Sequence, residues 1–149
     1  MSENIIKFEI VTPERVVLKE DIKQITVPTK DGEITILPLH IPLVATLKPG
    51  VLDIRRTNGE IEYISISGGF LEVLKNKLVI LADTAERAEE IDLARAEEAH
   101  RRAETLMKEE KQLDQKKFAA VNAMIEKELA RTKAAKRWRR IKNIMEDIK

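Results

Sequence analysis

The sequence contains no cysteine. That excludes disulfide bonding, thiol catalysis and thiolate metal sites. Only two histidines occur, His40 and His100, at unrelated positions, and they do not make a zinc-ligand pattern. Aromatic residues are 3% of the chain, so any core must be built from Ile, Leu and Val. Stacking platforms for nucleobases are correspondingly scarce. No apolar run approaches the roughly 18 residues that a membrane-spanning helix needs. The segment MSENIIKFEIV enters a strand pattern directly, with no legible signal or transit segment, so the chain is expected to stay in the compartment where it is made. The patterns GxxxxGK[ST], GxSxG and HExxH are absent, which argues against a P-loop hydrolase, an α/β-hydrolase and a zincin. Glycine and proline are missing from the whole second half. Gly32, Gly50, Gly59, Gly68 and Gly69 all lie in the first half, as do Pro13, Pro28, Pro38, Pro42 and Pro49.

What is present divides in two at Asp83 to Arg102, DTAERAEEIDLARAEEAHRR. Before it, apolar residues alternate; after it, they recur every three to four. Ile6, Phe8 and Ile10 alternate with Lys7 and Glu9 as a half-buried strand. Val16 to Leu18 and Ile22 to Val27 read as an interrupted second strand. Asp31-Gly32 and Asn58-Gly59 are hairpin signals, and Lys75-Asn76-Lys77 is a further turn. The segment Pro38 to Val44 is irregular and unusually apolar for a loop, so it either plugs the sandwich edge or faces a partner. Eight or more short strands at this turn spacing predict a β-sandwich or barrel.

Beyond the junction, Leu93, Ala96, Ala99, Ala103, Leu106 and Leu113 form an Ala-rich stripe on a helix that starts near Ile91-Asp92. A break is expected at Leu113-Asp114-Gln115, with Asp114 as N-cap. A longer helix follows, with Phe118, Val121, Ile125, Leu129, Thr132, Ala135, Trp138, Ile141, Met145 and Ile148 in a heptad-like stripe. Its far end, with Trp138 and Ile141, either finds a further surface or frays. The expected organisation is an all-β sandwich over residues 1–86 and a two-helix unit over 87–149. The first holds 10 Lys+Arg against 13 Asp+Glu, net −3, and the second 17 against 13, net +4. A mildly acidic base carries a basic lever, weakly seated because Ala contributes little apolar area.

Asp92 and Arg95 lie one turn apart at the helix start. They form either a cap and ion pair or part of an anion site, with Arg102 two turns along and Lys127 or Arg131 closing from the second helix. His40 reads first as a hydrogen bonder that organises its loop. Lys133, Lys136, Arg137, Arg139, Arg140 and Lys142 make a basic run with Trp138 inside it, either a solvated face or one that meets an acidic surface.

The stretches FEIVTPE, DGEITILPLHIPLV, SGGFLEV, LADTAE and IDLARA, in this order, resemble the epsilon subunit of the F-type rotary ATP synthase. The resemblance implies a ten-stranded sandwich and a C-terminal helical hairpin in a non-catalytic subunit of a proton-translocating complex. The complex would sit on the cytoplasmic face of a bacterial plasma membrane, with this chain reaching the membrane only through it. It implies that the sandwich binds the base of the gamma shaft and the c-ring, with Asp31, Glu33, His40 and Pro42 in the region facing the ring. Leu39 stands where the family usually has Gly. In bacterial members the hairpin is a brake on ATP hydrolysis that extends along gamma into the alpha/beta head. Lys133, Lys136, Arg137, Arg139 and Arg140 are similar to the basic face that meets a beta subunit. Ile91, Asp92, Arg95 and Ala96 match the family's nucleotide motif, with Glu86, Arg102, Lys127 and Arg131 at its outlying positions. In some members a bound ATP favours the folded hairpin; no cofactor or metal is required. Two other readings compete: a β-barrel nucleic-acid-binding module with a basic helical tail, which the shortage of sheet aromatics disfavours, and an independent ATP sensor.

Overall fold

The computed structural model describes residues 4–109 and 114–148. Nine strands occur among them: β1 (Ile6–Val11), β2 (Val16–Thr29), β3 (Gly32–Ile36), β4 (Leu43–Leu47), β5 (Gly50–Arg56), β6 (Ile61–Ile66), β7 (Gly69–Leu74), β8 (Lys77–Ala82) and β9 (Ala85–Arg87). A 3-10 turn (Ala88–Glu90) leads to α1 (Leu93–Glu109) and α2 (Gln115–Ile148). The sandwich with its C-terminal helical hairpin is as expected, with nine described strands against about ten.

The strands form one hydrogen-bonded sheet, β1-β8-β7-β4-β2-β5-β6-β9, with β3 on β2 and β1 also paired to β2. The sheet doubles over a single core. Ile6, Phe8, Ile10, Ile25, Leu52, Ile54, Ile64, Leu71, Leu78 and Ile80 point into it from both halves. Period-2 alternation sends every second residue inward, so these aliphatic side chains close the interior without aromatic stacking. β2 is continuous where an interruption was expected. Its register against β5 shifts between Ile22 and Gln24, so a bulge takes up the break in the apolar pattern. β9 was not anticipated. It is a three-residue edge strand on β6 inside the junction segment, and it straddles the 86/87 boundary.

Charged residues close one end of the core. Glu62, only 9% exposed in its side chain, receives Arg87 Nε at 2.9 Å and Arg56 Nη2 at 3.2 Å. Arg56 also reaches Glu20 at 2.9 Å, and Arg87 reaches Glu89 at 3.1 Å. The hydrogen bond to Glu62 outweighs burial and pushes the Arg87 pKa further up, so the guanidinium stays charged. Removing the buried partner leaves Arg56 with the more exposed Glu20 and Arg87 with the more exposed Glu89. Glu62→Ala should therefore cost about 2–4 kcal/mol, read as a lower urea midpoint at unchanged m-value.

Both helix starts are capped as expected. Asp92 Oδ1 accepts from Arg95 N at 3.1 Å, and Asp114 Oδ1 accepts from Lys117 N at 2.8 Å. Leu113 lies outside the described residues. α1 buries Ala96 and Ala103 of its predicted stripe, while Leu106 is 40% exposed. The stripe on α2 needs correction. Phe118 and Leu129 are exposed, as are Met145 and Ile148, whereas Ala130 and Ala134, outside the stripe, are buried with Val121 and Ala135. Spacing alone does not find this face, which packs between α1 and the sandwich and whose small side chains allow close approach. α2 has twice the residues of α1, so at about 1.5 Å per residue it overhangs by roughly 25 Å.

Candidate functional site

The surface that Trp138 and Ile141 needed is the outer face of the β5–β6 region. Val51, Tyr63, Ala88, Ile91, Ala96, Ala134 and Ala135 form a second apolar cluster, with Leu93, Trp138 and Ile141 packed against it. None of these residues belongs to the sandwich core. The hairpin is thus docked on the sandwich through a separate seat, built largely from alanine. Burial under the helix raises the Tyr63 pKa.

α2 crosses the sheet from β9 toward β3. At β9, Arg131 Nε meets the Glu86 carboxylate at 3.1 and 3.2 Å, and Arg131 Nη1 meets Glu128 at 2.7 Å. Farther along, Arg137 and Arg140 line a cleft of about 330 Å³ with Thr26, Glu33, Asp53 and Tyr63. Burial raises the Asp53 carboxyl above its usual range, although Arg137 and Arg55 pull it back. Lys136 reaches Glu97 of α1 at 3.5 Å. Lys142 sits 5.1 Å from the Trp138 ring centroid, a cation–π contact within the helix. Lys133 and Arg139 point to solvent.

The nucleotide-motif residues are only partly assembled. Ile91 and Ala96 are buried in the helical seat. Asp92 and Arg95 are exposed and pair with each other at 3.7 Å; Arg102 is exposed and pairs with Glu98 at 3.2 Å. Glu86 and Lys127 line a cleft of about 300 Å³ with Arg15 and Asp83. Among the described residues, Arg95 and Arg102 pair with acids of their own helix region and are not drawn together with Lys127 or Arg131 in one site. Sequence reasoning passed over Glu128, whose i,i+3 spacing to Arg131 was the available signal.

Asp31, Glu33 and Pro42 are exposed. The apolar loop does not plug the sandwich edge: Leu37, Leu39 and Ile41 are 53%, 67% and 75% exposed. His40 Nδ1 bonds Ile41 O at 2.7 Å, the expected organising role. Leu39 adopts φ 65°, a glycine-like conformation, and its N–H donates to Asn76 Oδ1 at 3.0 Å. On the outer face of the opposite half, the register aligns Val16, Val11, Leu81 and Phe70 in one row. Val16, Leu81 and Phe70 are each more than half exposed, as is neighbouring Val44. Sequence reasoning missed this patch because it needs the strand register.

A family model described as the ATP synthase, Delta/Epsilon chain, beta-sandwich domain matches residues 5–88. The chain is 49% identical over 130 residues to the ATP synthase epsilon chain of Chloroflexus aggregans, covering 87% of this chain and 91% of that one. It is 58% identical over 94 residues to that of Roseiflexus sp. (strain RS-1), covering 63% and 67%. Among solved structures it resembles a chain of the Euglena gracilis mitochondrial ATP synthase OSCP/F1/c-ring assembly, with TM-score 0.74, 25% identity, and 85% and 79% coverage. A chain of the Tetrahymena thermophila mitochondrial ATP synthase central stalk/c-ring shares the fold, with TM-score 0.59 at 20% identity, covering 91% of this chain and 99% of that one.

Proposed function

The chain belongs to the ATP synthase epsilon-chain family, as a non-catalytic subunit of the rotary enzyme's central stalk, and from that premise we propose that it joins the gamma shaft to the c-ring and restrains ATP hydrolysis through its hairpin. The observation that carries this reading is the separation of the two apolar clusters: the hairpin can leave its alanine-rich seat without opening the sandwich core. The docked pose has the hairpin off the catalytic head. Release carries Arg137, Arg139 and Arg140 to acidic residues of a beta subunit. The chain lies peripherally at the cytoplasmic face of the plasma membrane, within a proton-translocating complex as the family resemblance implies. Family membership sets aside the nucleic-acid module.

The bare row of Phe70, Leu81 and Val16 is the face offered to gamma, and the loop with Asp31, Glu33, His40 and Pro42 is offered to the ring. Large exposed apolar residues on a flat sheet face mark an interface. Phe70→Asp combined with Leu81→Asp should weaken capture by a purified gamma subunit about tenfold or more. Equal capture by a variant with wild-type circular dichroism would move gamma to another face.

A regulatory ATP is a second part of the proposal. Lys127 and Arg131 would grip its phosphates, with Asp92, Arg95 and Arg102 drawn in. Support comes from the placement of Glu86, Lys127 and Arg131 beside one cleft at the hairpin's seat.

A further inference from the structure

Arg131 already holds two carboxylates. Its Nε meets both oxygens of Glu86 of β9, at 3.1 and 3.2 Å, and its Nη1 meets Glu128 of its own helix at 2.7 Å. The Arg131 and Glu128 side chains are 21% and 14% exposed, so water competes poorly for these bonds. Two carboxylates on one cation leave the cluster with a net negative charge. The cleft beside it does not correct this, because apart from Glu86 its two acids, Glu14 and Asp83, balance its two bases, Arg15 and Lys127. An incoming phosphate meets a cation already paired with two carboxylates, and must displace one of them or lie beside both.

The two carboxylates do different jobs. Glu86 belongs to the sandwich, so its bond to Arg131 closes the hairpin onto β9. Glu128 is three residues from Arg131 on α2 and closes nothing; it only occupies a donor edge.

We propose that Glu128, together with Glu86, is a built-in competitor for the anion site on Arg131: the chain's own carboxylates stand where a polyphosphate would bind, and Glu128 sets the affinity for it. This rests on the nucleotide reading above. The docked hairpin is then closed without a ligand, and an ATP-type ligand is admitted only at a concentration high enough to exchange with a carboxylate. Neutralising Glu128 keeps the Glu86 closure and frees the second donor edge for a phosphate oxygen.

Calorimetric titration of the full chain with magnesium ATP, and separately with inorganic tripolyphosphate, tests this. Glu128→Gln should bind both about tenfold more tightly than wild type, the scale of one charge-assisted bond. Adding Arg131→Ala to Glu128→Gln should abolish the gain. Far-UV circular dichroism and the urea midpoint of each variant exclude a folding artefact, since losing an i,i+3 pair costs a helix little. Equal affinity of wild type and Glu128→Gln overturns the competitor role and leaves the nucleotide reading standing. Absence of heat with either ligand in either protein overturns both.

Discussion

Removing residues 88–149 should raise the steady-state ATPase of the reconstituted catalytic head about fivefold or more, the lower end of couplings of roughly 1–3 kcal/mol between distant sites. The basis is architectural. The sandwich core takes no residue from either helix, so the truncated chain retains its interior and the exposed row of Phe70, Leu81 and Val16. It loses the seat formed by Ala88, Ile91, Ala96, Ala134 and Ala135, leaving Val51 and Tyr63 bare. Alanine contributes little apolar area, so the hold of the seat falls mainly to Trp138, Ile141, Leu93 and Ile91 against Val51 and Tyr63, a surface that can separate without opening the sandwich core. A head assembled with residues 1–87 keeps the connection to the shaft but has no cationic lever to insert. The measurement is ATP hydrolysis by the head with full-length or truncated chain at matched occupancy. Unchanged activity would remove the brake and leave the coupling role intact.

Gly69→Ala should abolish stable folding of the sandwich under conditions where the wild type is native. Gly69 opens β7 and pairs with Leu47 of β4 on one side and Ala82 of β8 on the other. Its φ is +149°, which side chains rarely adopt. A β-carbon there would overlap the Leu81 carbonyl oxygen and sit 2.9 Å from Ala82 Cα and 3.0 Å from Leu81 C. All three are backbone atoms inside a ladder, so no side chain can turn away. Strained backbone and overpacking each cost about 1–3 kcal/mol, and their sum is a large part of a typical 5–15 kcal/mol total. Gly68→Ala is the comparator. Its φ is also positive, at +121°, but the nearest atom to an added β-carbon is Asp83 Oδ2 at 3.4 Å, the end of a side chain that can move. Urea titrations should show a modest midpoint loss for Gly68→Ala and no cooperative native baseline for Gly69→Ala. Similar midpoints for the two would show that β8 yields at Leu81.

Glu33 and the helical end share a cleft although they lie far apart in the chain. In the sequence, Glu33 belongs to a hairpin turn, and Arg137 and Arg140 belong to a basic run far along the chain. The structure lines one cleft with all three, because α2 crosses the strands until it reaches β3. The expectation for Leu129 failed for a related reason. A heptad template selects residues by spacing alone, and the face of α2 that packs between α1 and the sandwich is instead the one carrying Ala130 and Ala134, whose small side chains allow close approach.

Local chemistry alone determined the change from strands to helices, because periodicity two and periodicity 3.6 cannot share a segment and glycine and proline are confined to the first. It also determined the two caps at Asp92 and Asp114, since an N-cap acts within three residues, and the Ala-rich character of the lever. Only the tertiary structure decided which face of α2 is buried, that β9 completes the sheet edge, and that Glu86 reaches Arg131. It alone placed Val16, Val11, Leu81 and Phe70 in one exposed row. These depend on register and on contacts across long chain separations, which no local pattern encodes.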